Sequence, residues 1–210
     1  MTHPFFVVIF NLGVRVGEVC GITWDKVDLE NSTVRIEHSL NRYRKSEYGF
    51  TNALGTTKSK DSNRIIVFNN LVAEAFTKQR KYQLANGVAV KAISIVDDYG
   101  RVIGEANNLA FTQLNGSAWN EPGIIKLIHR IVKKQNDLAE VNNTSKLEYF
   151  TPHQIRHTYT TMAFEAGVDS KHVANQLGHA SDTTTRDTYT HLHGKKKKEQ
   201  EDIVNKIRIG

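Results

Sequence analysis

Cys20 is the single cysteine in the 210-residue sequence, so no disulfide can form within the chain and a thiolate-rich metal site has little support. It sits in an apolar helical context, which predicts a buried thiol rather than a nucleophile, and the scarcity fits a reducing compartment. No apolar run is long enough to span a membrane. The apolar opening Phe5 to Phe10 has neither a basic leader nor a small-residue cleavage site, so no secretory signal is expected and a cytoplasmic location follows. Nothing repeats at a fixed period, which argues against a solenoid. His153, His157 and His179 invite a zinc reading. However, the His-x-x-Arg-His arrangement lacks the glutamate of a helical metalloprotease site, so no metal is expected.

What the chain does contain is enough apolar material, 39%, for one substantial core. Its net charge is +6 and its pI about 9.3. That modest basic excess agrees with a nucleic-acid partner whose phosphate affinity falls with salt, although many soluble proteins share it.

Thr33-Val34-Arg35-Ile36-Glu37-His38 alternates apolar and polar residues as a half-buried strand does, and Arg64-Ile65-Ile66-Val67-Phe68 reads as its partner. Leu71 to Leu84 reads as a helix. Leu109-Ala110-Phe111-Thr112 reads as a short strand before Asn115-Gly116. Asn120 and Pro122 then start a helix with an apolar face at Ile124, Ile125, Leu127, Ile128 and Ile131. The expected class is mainly α with a small antiparallel β-sheet.

The stretch from Thr151 to His193 carries most of the chemistry. Thr151 can cap a helix, Pro152 suits its first position, and Gln154 can return a hydrogen bond to Thr151. On that helix His153, Arg156 and His157 crowd one face, beside N-terminal N–H groups that attract anions. Gly167 breaks the helix, Asp169 caps the next, and Gly178 stops it just before His179. Asp182 and Thr183 to Thr185 read as a further helix start carrying Arg186 and Tyr189. Taken singly, Tyr189 is an ordinary half-buried aromatic and His179 a capping histidine.

An upstream arginine box changes that balance. The segment from Gly13 to Leu29, GVRVGEVCGITWDKVDL, is followed by TPHQIRHTYTT from Thr151 and LGHASDTTTRDTYTH from Leu177. Together, and in this order, they resemble the motif boxes of the tyrosine recombinases, the phage and transposon integrase family. The resemblance covers nearly the whole chain as a catalytic-domain fold; residues 83–108 carry no family landmark, and no catalytic residue is expected there.

The resemblance implies a role for each matching residue. Arg15 and Arg156 match the two catalytic arginines, whose forks would hold the non-bridging oxygens as charge builds on phosphorus. Glu18 is expected to buttress the fold or orient Arg15; the plainer alternative makes Arg15 a surface residue paired with Glu18 at helical spacing. His153 matches the His-x-x-Arg histidine and is assigned the general-base role. His157 is given a supporting hydrogen bond, and His179 matches the later histidine that donates to a phosphate oxygen. Tyr189 matches the nucleophile, whose phenol must lose a proton in a cationic pocket. Tyr159, on the helix of Arg156, is expected to pack instead. Lys58 matches the β-hairpin lysine that protonates the departing 5′ oxygen, with Lys60 as runner-up; a basic loop touching only backbone phosphates is the alternative for Lys58. Lys60 and Arg186 are expected to contact DNA.

The implied reaction is site-specific recombination through a 3′-phosphotyrosyl link and a free 5′-hydroxyl, needing neither cofactor nor metal. Residues 1–194 are expected to be the catalytic domain, and 195–210 a basic linker and tail with Ile203, Val204 and Ile207 on one face. That tail either docks on a neighbouring protomer or folds back on its own domain. The family places DNA-binding domains ahead of the Arg15 box, and only a short lead precedes it here. A catalytic fragment with weak DNA affinity of its own is therefore expected. Double-stranded DNA is the expected partner, in a homotetramer, with DNA-bending accessory proteins as further partners and no membrane. A type IB topoisomerase activity and a noncatalytic DNA-binding module are the alternatives.

Overall fold

Phe5, Val8, Ile9 and Leu12 recur at the spacing of one helical face, and all are buried on α1 (His3–Leu12). The structure is a computed structural model that describes residues 3–46, 49–56 and 63–178. Lys58, Lys60, His179, Arg186, Tyr189 and the tail 195–210 lie outside the described residues. Past α1 the chain turns at Gly13 into α2 (Val16–Cys20) and a 3₁₀ turn at Trp24–Lys26. It continues through β1 (Val27–Asp28), β2 (Thr33–Ile36), β3 (His38–Ser46), β4 (Gly49–Thr56) and β5 (Arg64–Val67). The remaining elements are α3 (Asn70–Ala85), β6 (Ile93–Val96), β7 (Val102–Ala106), α4 (Glu121–Val141), α5 (Pro152–Glu165) and α6 (Ser170–Leu177).

The helix starts follow their capping residues. The Asn69 side chain accepts from the Val72 N–H at 3.1 Å, and that of Asn120 from the Gly123 N–H at 2.9 Å. Thr151 and Gln154 exchange hydrogen bonds, with the Thr151 N–H donating to Gln154 Oε1 at 2.7 Å, so α5 begins at Pro152 as its sequence predicts. Asp169 accepts from the Lys171 and His172 N–H groups at the head of α6.

The α+β class stands, but the sheet content is larger than one small antiparallel sheet. β2 and β5 do pair antiparallel, with Val34 opposite Ile66, and β1 adds to them. The two strands are not consecutive, because the β3–β4 hairpin intervenes and belongs to a second, four-stranded sheet in the order β3-β4-β6-β7. Within it β4 and β6 run parallel, and the chain crosses between them through β5 and α3, as a parallel pair requires. Residues 93–106 thus form two strands in a region whose short, irregular apolar pattern gave little sign of them. Leu109–Thr112 is not a strand. It makes isolated bridges, Thr23 to Leu109 and Thr112 to Ala118, and the Ala110 N–H donates to Ile22 O at 2.8 Å. Its apolar side chains signalled burial, which is real for Leu109, Ala110 and Phe111, but no neighbouring strand supplies a ladder.

One core joins α1, α2, α3, α4, the inner face of β2 and β5, and Ile155 of α5. Phe76 lies at its centre, with ring centroids 5.5 Å from Phe68, 5.9 Å from Phe111 and 6.1 Å from Trp24. A second, much smaller cluster of Ala163, Val173 and Leu177, flanked by Tyr159 and Phe164, joins α5 to α6. Cys20 is fully buried in the main core, and burial pushes its thiol up, away from nucleophilic chemistry. Among the described residues no helix is long and apolar enough to cross a membrane.

Candidate active site

A sharp turn at Gly13 brings the ends of distant elements together. Gly13 has φ +65°, and a Cβ built there would lie 2.1 Å from the Tyr159 ring; only glycine lets the chain leave α1 in this direction while α5 packs against it. The turn delivers Arg15 to the head of α2. Its side chain is 51% exposed, with one guanidinium contact at 3.3 Å to Glu18, while its backbone N–H donates to the other carboxylate oxygen at 2.9 Å. Arg15 and Glu18 are thus paired at helical spacing, with the carboxylate buried and the guanidinium half exposed.

Arg156 reaches the same place from the first turns of α5, and it is only 6% exposed. Nη1 donates to Gly13 O at 3.2 Å and Nη2 to Leu177 O at 2.9 Å, so its fork is held between the turn after α1 and the last turn of α6. Burial, followed by the charge of Arg15, pushes its pKa down to about 10, with Glu18 pulling the other way. It stays cationic at neutral pH.

Arg15 and Arg156 line one cleft of about 280 Å³, together with His153, Ser39, Asn41 and Glu121. His153 Nε2 and His157 Nε2 approach within 3.1 Å, so one imidazole is tied to the other at the cleft rim. Two guanidinium groups and an imidazole in one open cleft suit a group whose negative charge grows during reaction. Among the described residues no cluster of three His, Cys, Asp or Glu residues could hold a metal ion. Tyr159 packs: its ring covers Gly13, and burial raises its phenol pKa more than its hydrogen bond to Gln176 lowers it.

Sequence reading missed Arg64. It appeared only as the first residue of a strand, yet its side chain is 8% exposed and its Nη2 lies 2.9 Å from Glu18 Oε2. Its Nε donates to Gln176 O at 2.7 Å, and it lies against Gly178, φ +67°, at the end of α6. Glu18 is buried, which by itself raises its pKa; the Arg64 hydrogen bonds and charge, followed by those of Arg15, outweigh that and hold the carboxyl below its ordinary value. No local pattern marks Arg64, because its partner lies far back in the sequence. Ser39, Asn41 and Glu121 were also missed; only the packing of β3 and α4 brings them to the cleft.

Comparison with known proteins identifies the family. The phage integrase family matches residues 2–196, a range that contains every expected site position. The chain belongs to the phage integrase family. Among related integrases and recombinases, it is 31% identical over 184 residues to the transposase from transposon Tn916 of Enterococcus faecalis, covering 88% of this chain and 40% of that protein. It is 28% identical to the integrase of Staphylococcus phage L54a, covering 93% of this chain and 49% of that protein. The Tn1549 transposon integrase, solved in complex with circular intermediate DNA, superposes with a TM-score of 0.70 at 28% identity, covering 89% of this chain and 54% of that one. The chain thus spans about half the length of the family members it matches.

Proposed function

We propose that this chain is the catalytic part of a tyrosine-type site-specific DNA recombinase that integrates or excises a mobile element. The observation that carries the reading is the shared cleft: Arg15 at the head of α2 lines one cavity with His153 and Arg156 from the first turns of α5. In this reading the cleft takes a phosphodiester of double-stranded DNA. Arg15 and Arg156 hold its non-bridging oxygens, and His179, which follows Gly178 in sequence, donates to one of them.

The Tyr189 hydroxyl oxygen attacks phosphorus, its proton passes to His153, and the bond to the 5′ oxygen breaks as Lys58, or Lys60 in its place, protonates that oxygen. The products are a 3′-phosphotyrosyl link and a free 5′-hydroxyl. A 5′-hydroxyl from another strand then attacks the same phosphorus, and Tyr189 leaves with a proton. Each step exchanges one phosphoester for another, so no ATP is consumed. His157 supports His153, Glu18 supports Arg15, and Arg186 adds a DNA contact. Residues 1–194 form the catalytic unit and 195–210 a basic tail that docks on a neighbouring protomer of a homotetramer on DNA, with DNA-bending proteins assisting. A cytoplasmic location suits that work.

The test is incubation with nicked duplex DNA, followed by a denaturing gel that reports protein attached to a 3′ end. Tyr189→Phe should abolish the adduct and Tyr159→Phe should keep it. Joining of strands between two duplexes marks a recombinase, whereas resealing alone marks a topoisomerase of type IB. DNA binding without any adduct would leave only a binding module.

A further inference from the structure

Glu18 is only 2% exposed, and it faces two arginines that share it unequally. Arg64 takes both oxygens, with Nη1 3.2 Å from Oε1 and Nη2 2.9 Å from Oε2. Arg15 has a backbone bond to Oε2 and one longer side-chain contact to Oε1 at 3.3 Å. Arg64 is fixed from behind by its bond to Gln176 O, and a Cβ at Gly178 would come within 2.6 Å of its Nη1. The guanidinium that holds Glu18 is therefore the buried one, and the guanidinium lining the cleft is half exposed.

A buried carboxylate attracts the nearest cation strongly, because the surrounding dielectric is low, and an arginine fork satisfies it best by taking both oxygens. Without Arg64, the nearest fork is that of Arg15, three residues away on the same turn. Arg15 would rotate onto Glu18, and its charge would leave the cleft.

We propose that Arg64 is a positioning residue that saturates Glu18 and so leaves the Arg15 guanidinium available to a phosphate in the cleft. This assignment rests on the recombinase reading and deepens it. Arg64 touches no substrate; it acts through Glu18 and Arg15. A simple strut would behave differently: its rate losses and recoveries would only follow melting temperature, as a stranded buried carboxylate is made and removed, and the salt slope of DNA binding would not move.

The experiment measures the rate of covalent adduct formation on a nicked duplex by the full 210-residue chain, in wild type, Arg64→Gln, Glu18→Gln and the double variant. Arg64→Gln should slow the reaction about 100-fold, the scale of losing one transition-state donor. The double variant should regain at least about tenfold of that loss, because a neutral residue 18 no longer draws Arg15 away. A double variant as slow as Arg64→Gln, or slower, overturns the assignment.

Salt dependence of binding to the same duplex gives a second readout. Arg64→Gln should lose about one phosphate contact from the slope, and the double variant should recover it. Arg64→Lys covers the case in which Arg64→Gln does not fold. A lysine point charge leaves one Glu18 oxygen open, so slowing at a near-normal melting temperature is expected, and an unchanged rate overturns the proposal. If wild type forms no adduct, the recombinase reading fails, while the salt-slope series still decides whether Arg64 frees Arg15.

Discussion

The corner between α1 and α2 and the pair α5–α6 each supply an arginine to one cleft, but they are anchored on very different scales. The corner grows out of the main core, where Val14, Val19 and Cys20 have no exposed surface. The α5–α6 pair sends Ile155 into that core and otherwise rests on a small cluster of three buried residues. The arginines invert that order. Arg15, on the well-anchored corner, is half exposed and loosely held, whereas Arg156, on the lightly anchored pair, is buried and gripped by two carbonyls. Where packing is thin, the arginine that lines the cleft is itself part of the structure.

The largest expected effect tests that inversion directly. Arg156→Ala should lower adduct formation by about 100- to 1,000-fold, and it also leaves the Gly13 and Leu177 carbonyls without their donor. Even after relief of a buried charge, a stability loss of about 2 kcal/mol is expected by denaturant unfolding. Arg15→Ala should show a similar rate loss with little change in stability, because its side chain has one weak contact. Equal stability losses in the two variants would erase the distinction.

Leu177→Ala attacks the small cluster itself. Leu177 is fully buried, so truncation should cost about 2–5 kcal/mol. Amide exchange should locate that loss: protection should fall in α5 and α6 while α1 and α3 keep theirs. Uniform loss across all four helices would show that the two clusters unfold as one. Gly13→Ala strikes the seam between the regions. Its Cβ would overlap the Tyr159 ring, and φ +65° is strained for alanine, which together predict about 2–4 kcal/mol. Adding Tyr159→Ala should recover the part due to overlap and leave the part due to φ, as a double-mutant cycle would read.

The contrast also explains what was legible in the sequence. Helix heads at Asn120, Thr151 and Asp169 were readable because a cap and its donors lie within three residues. The β2–β5 pairing was readable from alternation at Val34, Ile36 and Ile66. The parallel contact of β4 with β6 was not, because it depends on a crossover through α3 that leaves no local period. Leu109–Thr112 misled, since an apolar run reports burial whether or not a ladder is near. At the cleft, Arg15, His153 and Arg156 were visible by family resemblance. Arg64 was hidden, because a charged residue at the start of a strand reads as solvent-facing until Glu18 and Gln176 fold beside it.

A smaller effect concerns acid. Glu18 has its folded pKa below the ordinary 4.5, so its ionised form adds stability above that pH, and the contribution is lost as pH falls through the lowered value. Unfolding free energy measured downward from pH 6 should therefore decline through the acid range. The decline should be shallower in the double variant Glu18→Gln with Arg64→Gln, which has no carboxylate to protonate there. An identical acid profile would remove Glu18 from the account.

The smallest effect is expected at Tyr159, and it separates the packing tyrosine from the proposed nucleophile, Tyr189. Its ring, not its hydroxyl, fills the space over Gly13, and burial already opposes ionisation of the phenol. Tyr159→Phe keeps the ring and loses only the hydrogen bond to Gln176, so a stability change of about 1 kcal/mol is expected, with adduct formation within about threefold of wild type. A complete loss of adduct in this variant, at an unchanged melting temperature, would move the proposed nucleophile from residue 189 to α5. The cleft would then have to be served from the helix that carries Arg156 rather than from the segment beyond Gly178.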